Sequence, residues 1–359
     1  MNPVVFEKNP SEFSITLRQR VDEYFSSREL SKNANFSMYL KSFVLLVFYF
    51  VPYFFIIQGH LSYPELLLSY FIMGISGAGV GMSVMHDANH EAYFSNKKLN
   101  RFLGYTLELL GASSGNWRVQ HNVLHHTYTN IDGLDEDLQA GKILRFSKAS
   151  PLKKYHSIQH IYGPFLYSLL AVGWIGWNDY FRLKRYIDKG FFKGKSPYFV
   201  YIQFIKLILS KILYFVYILI IPIYLSGLSG WQVFSGFVVM NLICGLILSV
   251  VFQLAHINND VSFQLSEGAT KIEHDWTVHQ LLTTANFAPK NWFLNWYVGG
   301  LNFQVEHHLF PNCCHVHYPN IAPIVEKTAK EYGVPYHSFS SFNEAFKAHI
   351  QHLKELGNS

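Results

Sequence analysis

Eight of the chain's 18 histidines fall into four short groups. His86 and His90 bracket HDANH, and His121, His125 and His126 stand in HNVLHH. His307 and His308 end QVEHH, and His256 ends FQLAH. A spacing of four residues puts two imidazoles on one helix face, where they can share a metal. Structural zinc takes four ligands, usually with thiolates, and the adjacent Cys313 and Cys314 do not make such a set. Eight imidazoles suit two metal ions with positions left open for a small molecule. Imidazole accepts iron, zinc and copper, so ligand type alone does not choose among them. Gln304 stands three residues before His307, where its side chain is placed to ligate a metal or hold a metal-bound water. Asp87, Glu91, Asp132, Asp135, Glu136, Asp137 and Glu306 are near enough in sequence to orient imidazole N–H groups. His274, His279, His315 and His317 are expected to have orienting or structural duties, and His60, His156, His160 and His352 to be surface or hydrogen-bonded residues with no role in the site.

The elements that position these groups are membrane helices. Half of the residues are hydrophobic, 17% are aromatic and only 15% are charged. Soluble proteins carry about a quarter charged residues, so a disordered chain, a coiled coil and an ordinary cytosolic enzyme are excluded. Apolar blocks run over about residues 42–58, 66–85, 205–225 and 231–254, each near the ~20 residues that cross a bilayer. Lys206 and Lys211, in the third block, are expected to snorkel to the interface. The links GHLSYPE and SGLSG carry no Lys or Arg, and the long segments hold nearly all 29 basic residues. The positive-inside rule then places residues 1–41, 86–204 and 255–359 in the cytoplasm, both termini included. The N-terminus lacks the apolar core of a signal peptide. Residues 161–177 are expected to lie in the interface rather than make a fifth crossing. Gly74, Gly77, Gly79 and Gly81 predict close helix packing.

The expected fold is therefore an all-α integral membrane protein forming one domain over residues 1–359. Four transmembrane helices make two hairpins, and a cytoplasmic helical cap carries a dimetal site. All four histidine groups then emerge on one side of the membrane. An open two-metal site facing a bilayer favours iron and dioxygen. Three cysteines without a CxxC make no disulfide framework. A net charge of +5, little clustered, argues for membrane lipids and against nucleic acid as partner.

HDANH, HNVLHH and QVEHH resemble the three histidine boxes of the membrane fatty acid desaturases, in order and over nearly the whole chain. The QxxHH form within NFQVEHHLFP resembles the front-end, Δ5/Δ6-type members. Those place a double bond between an existing one and the carboxyl end. The resemblance implies that His86, His90, His121, His125, His126, His256, His307 and His308 ligate two irons. It implies that Gln304 replaces a further histidine, and that dioxygen is the co-substrate. The product is then a cis double bond in a long-chain acyl-CoA or acyl-lipid, as in linoleoyl-CoA desaturases. The sequence departs from many eukaryotic front-end enzymes in lacking a His-Pro-Gly-Gly haem motif. A separate electron donor is implied, a ferredoxin or a cytochrome b5 with its reductase. A long apolar substrate calls for a tunnel, with Trp117, Arg118 and Gln120 expected at its mouth and Arg118 meeting a carrier phosphate. A hydroxylase on the same scaffold is the alternative. A metal-containing receptor or transporter fits less well, because the second and fourth blocks hold no charge.

Overall fold

The computed structural model describes residues 4–138, 142–263 and 271–359. Four helices in it are long and apolar enough to cross a membrane: Phe36–Gln58, Tyr63–Asn89, Pro197–Leu225 and Gly230–His256. Each is longer than its apolar block because local chemistry, not hydropathy, sets its ends. Asn35 caps the first by accepting from the Met38 N–H, and Gly59 closes it in the left-handed conformation (φ 76°). Ser62 and Glu65 form a capping box on the second, and Ser229 and Gln232 form one on the fourth. Ser196 caps the third.

The second and fourth helices are the central pair. Their apolar windows are 67% and 50% buried, against 28% and 22% for the first and third. Small residues let them approach. A Cβ on Gly74 would lie 2.6 Å from the Met240 carbonyl oxygen, and one on Gly236 would lie 2.2 Å from the Tyr70 ring. The glycine run thus serves packing, as its spacing predicts. Both central helices also continue past their apolar stretch, and these polar ends carry His86, His90 and His256.

Lys211 does not snorkel. It is buried, with its Nζ 2.6 Å from Asp179 Oδ2, 2.5 Å from the Gly111 carbonyl and 2.8 Å from that of Trp174. A buried ammonium is tolerable only with such a set of acceptors. Lys206, by contrast, is exposed. The stretch 161–177 is broken into the helices Gln159–Tyr167 and Leu170–Gly173 followed by a π turn, Trp174–Asn178. Tyr167 and Ala171 are buried while Phe165 and Trp177 face outward. It lies on the fourth helix, where a Cβ on Gly245 would come 2.4 Å from the Ser168 carbonyl oxygen.

The C-terminal polar segment supplies the helices Trp276–Thr283, Gln304–Leu309, Tyr318–Glu331 and Phe342–Leu356. A short parallel pair, Ala285–Phe287 with His337–Phe339, is the sheet among the described residues. The N-terminal helix Glu12–Ser26 packs Phe13, Leu17 and Val21 against Ile321 and Val325. Asp275 fastens this layer, its Oδ2 accepting from Ser14 Oγ at 2.6 Å and from the Ser11 N–H at 2.7 Å.

Candidate metal centre

Four elements bring the eight histidines together. His86 and His90 follow a π turn, Val80–Met85, at the end of the second apolar helix. His121 and His125 lie in a second π-wound stretch, Arg118–His125, with His126 next to it. Such wide turns recur at functional sites because they re-aim side chains that regular winding would spread. His256 is the last residue of the fourth apolar helix, and His307 and His308 sit on Gln304–Leu309. None of the eight is more than 5% exposed.

Their nitrogens gather at two adjacent foci. Ring nitrogens of His86, His90, His121 and His307 lie within 4.8 Å of one another, and so do those of His125, His256 and His308. His126 stands between, its Nε2 3.3 Å from His121 Nε2 and 3.1 Å from His307 Nε2. The four-residue spacing brings both pairs close, His86 with His90 at the first focus and His121 with His125 beside Asp137. The latter rings stack at 5.1 Å and their nitrogens share a group with Asp137, while each also joins one of the two foci.

The other ring nitrogens are braced from behind. His121 Nδ1 meets Asp137 Oδ2 at 2.7 Å, and His125 Nδ1 meets Asp135 Oδ2 at 2.9 Å. His308 Nδ1 meets Gln280 Oε1 at 2.8 Å, His307 Nδ1 the Tyr318 hydroxyl at 3.3 Å, and His256 Nδ1 the Thr283 carbonyl at 3.3 Å. Engaging Nδ1 leaves Nε2 as the inward lone pair, the arrangement that orients metal ligands. Nε2 of His90, His125 and His308, both nitrogens of His86 and Nδ1 of His126 have no hydrogen-bond partner among the described residues. Leaving one such group buried and unpaired costs about 1–3 kcal/mol, and the orphan Nε2 atoms of His86, His90, His125 and His308 together call for a cation. Burial and the neighbouring imidazoles hold His90, His121, His126, His307 and His308 well below the ordinary histidine range. At neutral pH they are the uncharged form that binds metal. Burial also acts to lower His125, but the Asp135 carboxylate outweighs it and raises that imidazole. The residues fit two metal ions.

Gln304, 2% exposed, reaches the second focus, its Nε2 2.9 Å from His256 Nε2. Asp87 serves a different purpose from the aspartates behind His121 and His125. It holds His315 Nδ1 at 2.7 Å and Cys314 Sγ at 2.9 Å, with His86 Nδ1 at 3.9 Å. Glu306 does not orient the imidazoles. It turns to Asn286 Nδ2 and the Tyr336 hydroxyl, both at 2.8 Å, and burial pushes its carboxyl up to about 7. Glu91 pairs with Lys97, Glu136 with Lys189, and Asp132 lines a separate cavity. His279 and His317 are tied to the carbonyls of Thr129 and Asn33, and His274 stacks on His279.

A cavity of about 510 Å³ opens onto His86, His121 and Gln304. Met82, Met85, Trp174, Leu248 and Phe252 make its walls apolar, and Trp117 stacks on the His121 ring at 4.4 Å. Gln120 also lines it. Arg118 does not stand at its mouth: the guanidinium bonds Asn89 Oδ1 at 3.1 Å and so props the helix end that bears His90. Sequence reasoning missed Gln280, Thr283 and Tyr318. The only signal for Gln280 was its place on the helix after Asp275-Trp276, where Trp276 Nε1 donates to the His126 carbonyl at 2.8 Å.

The fatty acid desaturase family matches residues 61–340. The chain is 36% identical to the sn-1 linoleoyl-lipid 6-desaturase of Synechocystis sp., covering 97% of this chain and 96% of that protein. It is 38% identical to the acyl-lipid (8-3)-desaturase of Physcomitrium patens, covering 96% and 72% respectively. A second sn-1 linoleoyl-lipid 6-desaturase, from Arthrospira platensis, is 34% identical over 96% of the chain and 92% of its own length. Likeness from end to end, with an imidazole cluster opening onto an apolar cavity, makes this membrane protein a fatty acyl desaturase of the fatty acid desaturase family.

Proposed function

We propose that the chain is an oxygen-dependent di-iron front-end desaturase that places a cis double bond at the Δ6 or Δ5 position of a linoleoyl-type chain. The observation that carries this reading is the apolar cavity ending on His86, His121 and Gln304. His86, His90, His121 and His307 would hold one iron, and His125, His256 and His308 the other, with His126 between them. When bound, the iron pair supplies the redox chemistry that activates dioxygen to take two hydrogens from adjacent methylenes. The protein's own residues do the rest. Met82, Met85, Leu248 and Phe252 exclude water and keep the acyl chain extended. Asp135 and Asp137 fix the donor tautomers of His125 and His121. The Gln304 amide is placed to donate to, or accept from, a small molecule at the second focus.

The 6-desaturase and (8-3)-desaturase names of the relatives support front-end placement, and their lipid-linked substrates favour an acyl-lipid. The four apolar helices are read as two hairpins, with the site and both termini on the cytoplasmic side. Electrons are assigned to a separate ferredoxin, or to cytochrome b5 with its reductase. A host that expresses the chain and is fed linoleate should accumulate a trienoic acid whose new bond lies on the carboxyl side of the existing ones. Gas chromatography with mass spectrometry reads this directly. A hydroxy acid, or unchanged linoleate at good expression, would refute the reading.

A second expectation concerns Asp135. Asp135→Asn keeps the side chain's shape but removes the charge behind His125. Loss of such a bracing carboxylate weakens metal binding by about 10- to 100-fold. Chelator competition on the purified protein should show that loss, and Asp132→Asn, at a residue outside the imidazole cluster, should not.

A further inference from the structure

The helix Trp292–Tyr297 exposes large aromatic rings although it lies in the stretch 255–359, which the distribution of charge assigns to water. Trp292 is 77% exposed and Phe293 59%, and none of the helix's residues is buried. Asn291 caps it by accepting from the Leu294 N–H at 3.0 Å, and the exposed Lys290 precedes it.

Its place against the spanning helices is fixed by contacts. Tyr297 Oη donates to the Ile75 carbonyl at 2.7 Å, and a Cβ on Gly79 would lie 3.3 Å from the Tyr297 ring. Trp296 packs with Leu45, Val80 and Val84. The Ser76 hydroxyl donates to the Leu45 carbonyl, so in the antiparallel first and second helices Ile75 and Leu46 stand at one height. The first apolar block begins at residue 42, and four residues of helix at about 1.5 Å each put this height about 6 Å inside it. An interfacial helix buries its apolar face about 5–10 Å into the boundary between head groups and acyl chains. Trp and Tyr concentrate at that level, with Lys reaching back to water. Phe43 and Phe48, on the first helix to either side of this height, are 65% and 57% exposed. The aromatic face of Trp292–Tyr297 thus continues the lipid-facing belt of the spanning helices. The residues that follow it, Gly299 and Gly300, press against Met82 and His315 on the way to His307 and His308.

We propose that Trp292–Tyr297 is a membrane anchor. Trp292 and Phe293 insert among the acyl chains of the leaflet nearest the imidazole cluster. They tie the segment that bears His307 and His308 to the bilayer surface.

The test uses the full-length protein in lipid nanodiscs. Cys244, Cys313 and Cys314 are buried. Trp292→Cys, Phe293→Cys, Phe48→Cys and Lys330→Cys therefore each give one exposed site for a nitroxide label, and wild type treated alike gives the background. Paramagnetic resonance compares collisions with oxygen, which concentrates in lipid, and with a nickel chelate, which stays in water. Labels at 292 and 293 should favour oxygen, like the label at 48, and the label at 330 should favour nickel. As a check without labels, brominated phosphatidylcholine should quench tryptophan fluorescence more in the wild type than in Trp292→Phe. Labels at 292 and 293 that favour nickel would overturn the proposal. So would labels shielded from both reagents, the sign of a second copy of the chain on this face. Equal quenching of wild type and Trp292→Phe would overturn it too.

Discussion

Replacing His126 by alanine leaves a chain that inserts and folds but holds little iron and makes no measurable product. His126 is the imidazole between the two foci, 3.1 Å from His307 Nε2 and 3.3 Å from His121 Nε2. It also groups with His307 and His308. Removing a group that merely braces a ligand costs about 10- to 100-fold in metal affinity or activity, so removing a shared ligand should cost more than about a hundredfold. Its effect on the apoprotein should run the other way, because the variant relieves the crowding of neutral, buried imidazoles. Unfolding followed with and without a chelator tests both parts. The wild type should lose stability when iron is withdrawn, by ligand linkage, and His126→Ala should unfold at nearly the same temperature either way. Wild-type iron content in the variant would place His126 outside the centre.

Gly299→Ala should be as damaging although Gly299 carries no ligating side chain. Its φ is +63°, and an added Cβ would lie 2.2 Å from the Met82 carbonyl oxygen and 2.7 Å from the Met82 carbonyl carbon. Met82 belongs to the π turn that delivers His86. The obstructing atoms are backbone, so relief requires that this turn move. A strained left-handed residue costs about 1–3 kcal/mol and an overpacked core site about 1–3 kcal/mol more. A loss of about 2–6 kcal/mol is expected, together with reduced iron, because His86 is displaced. Gly176→Ala is the control, since a Cβ there meets nothing within 4 Å. Thermal unfolding in detergent and metal analysis read the two effects, and equal behaviour of the two variants would contradict the argument.

The apolar helices and the histidine groups were legible because each is a local signal: a run without charge, or a short motif. The parts that were not legible depend on contacts between distant segments. Lys211 reads as an interfacial lysine until the chain brings Asp179 to it from 32 positions away. Glu306 reads as a partner of His307 because it is adjacent, yet neighbours on a helix do not face one another. Its carboxylate instead faces Asn286 and Tyr336. Asp135 and Asp137 were visible as nearby acids, but nothing local says that each takes a different imidazole. The π turns Val80–Met85 and Arg118–His125 have no sequence signature of their own. They wind the two segments that bear His86 and His121 to His126, so the exact aim of those rings could not be read from spacing alone.

The central claim is that eight imidazoles hold two irons and that both are needed for desaturation. Iron should be removed from the purified enzyme and returned in steps, with iron per chain and the rate of double-bond formation, driven by a ferredoxin and its reductase, measured on the same samples. The rate should rise to its maximum at two irons per chain and remain far below it at one. Full activity at one iron per chain would contradict the account.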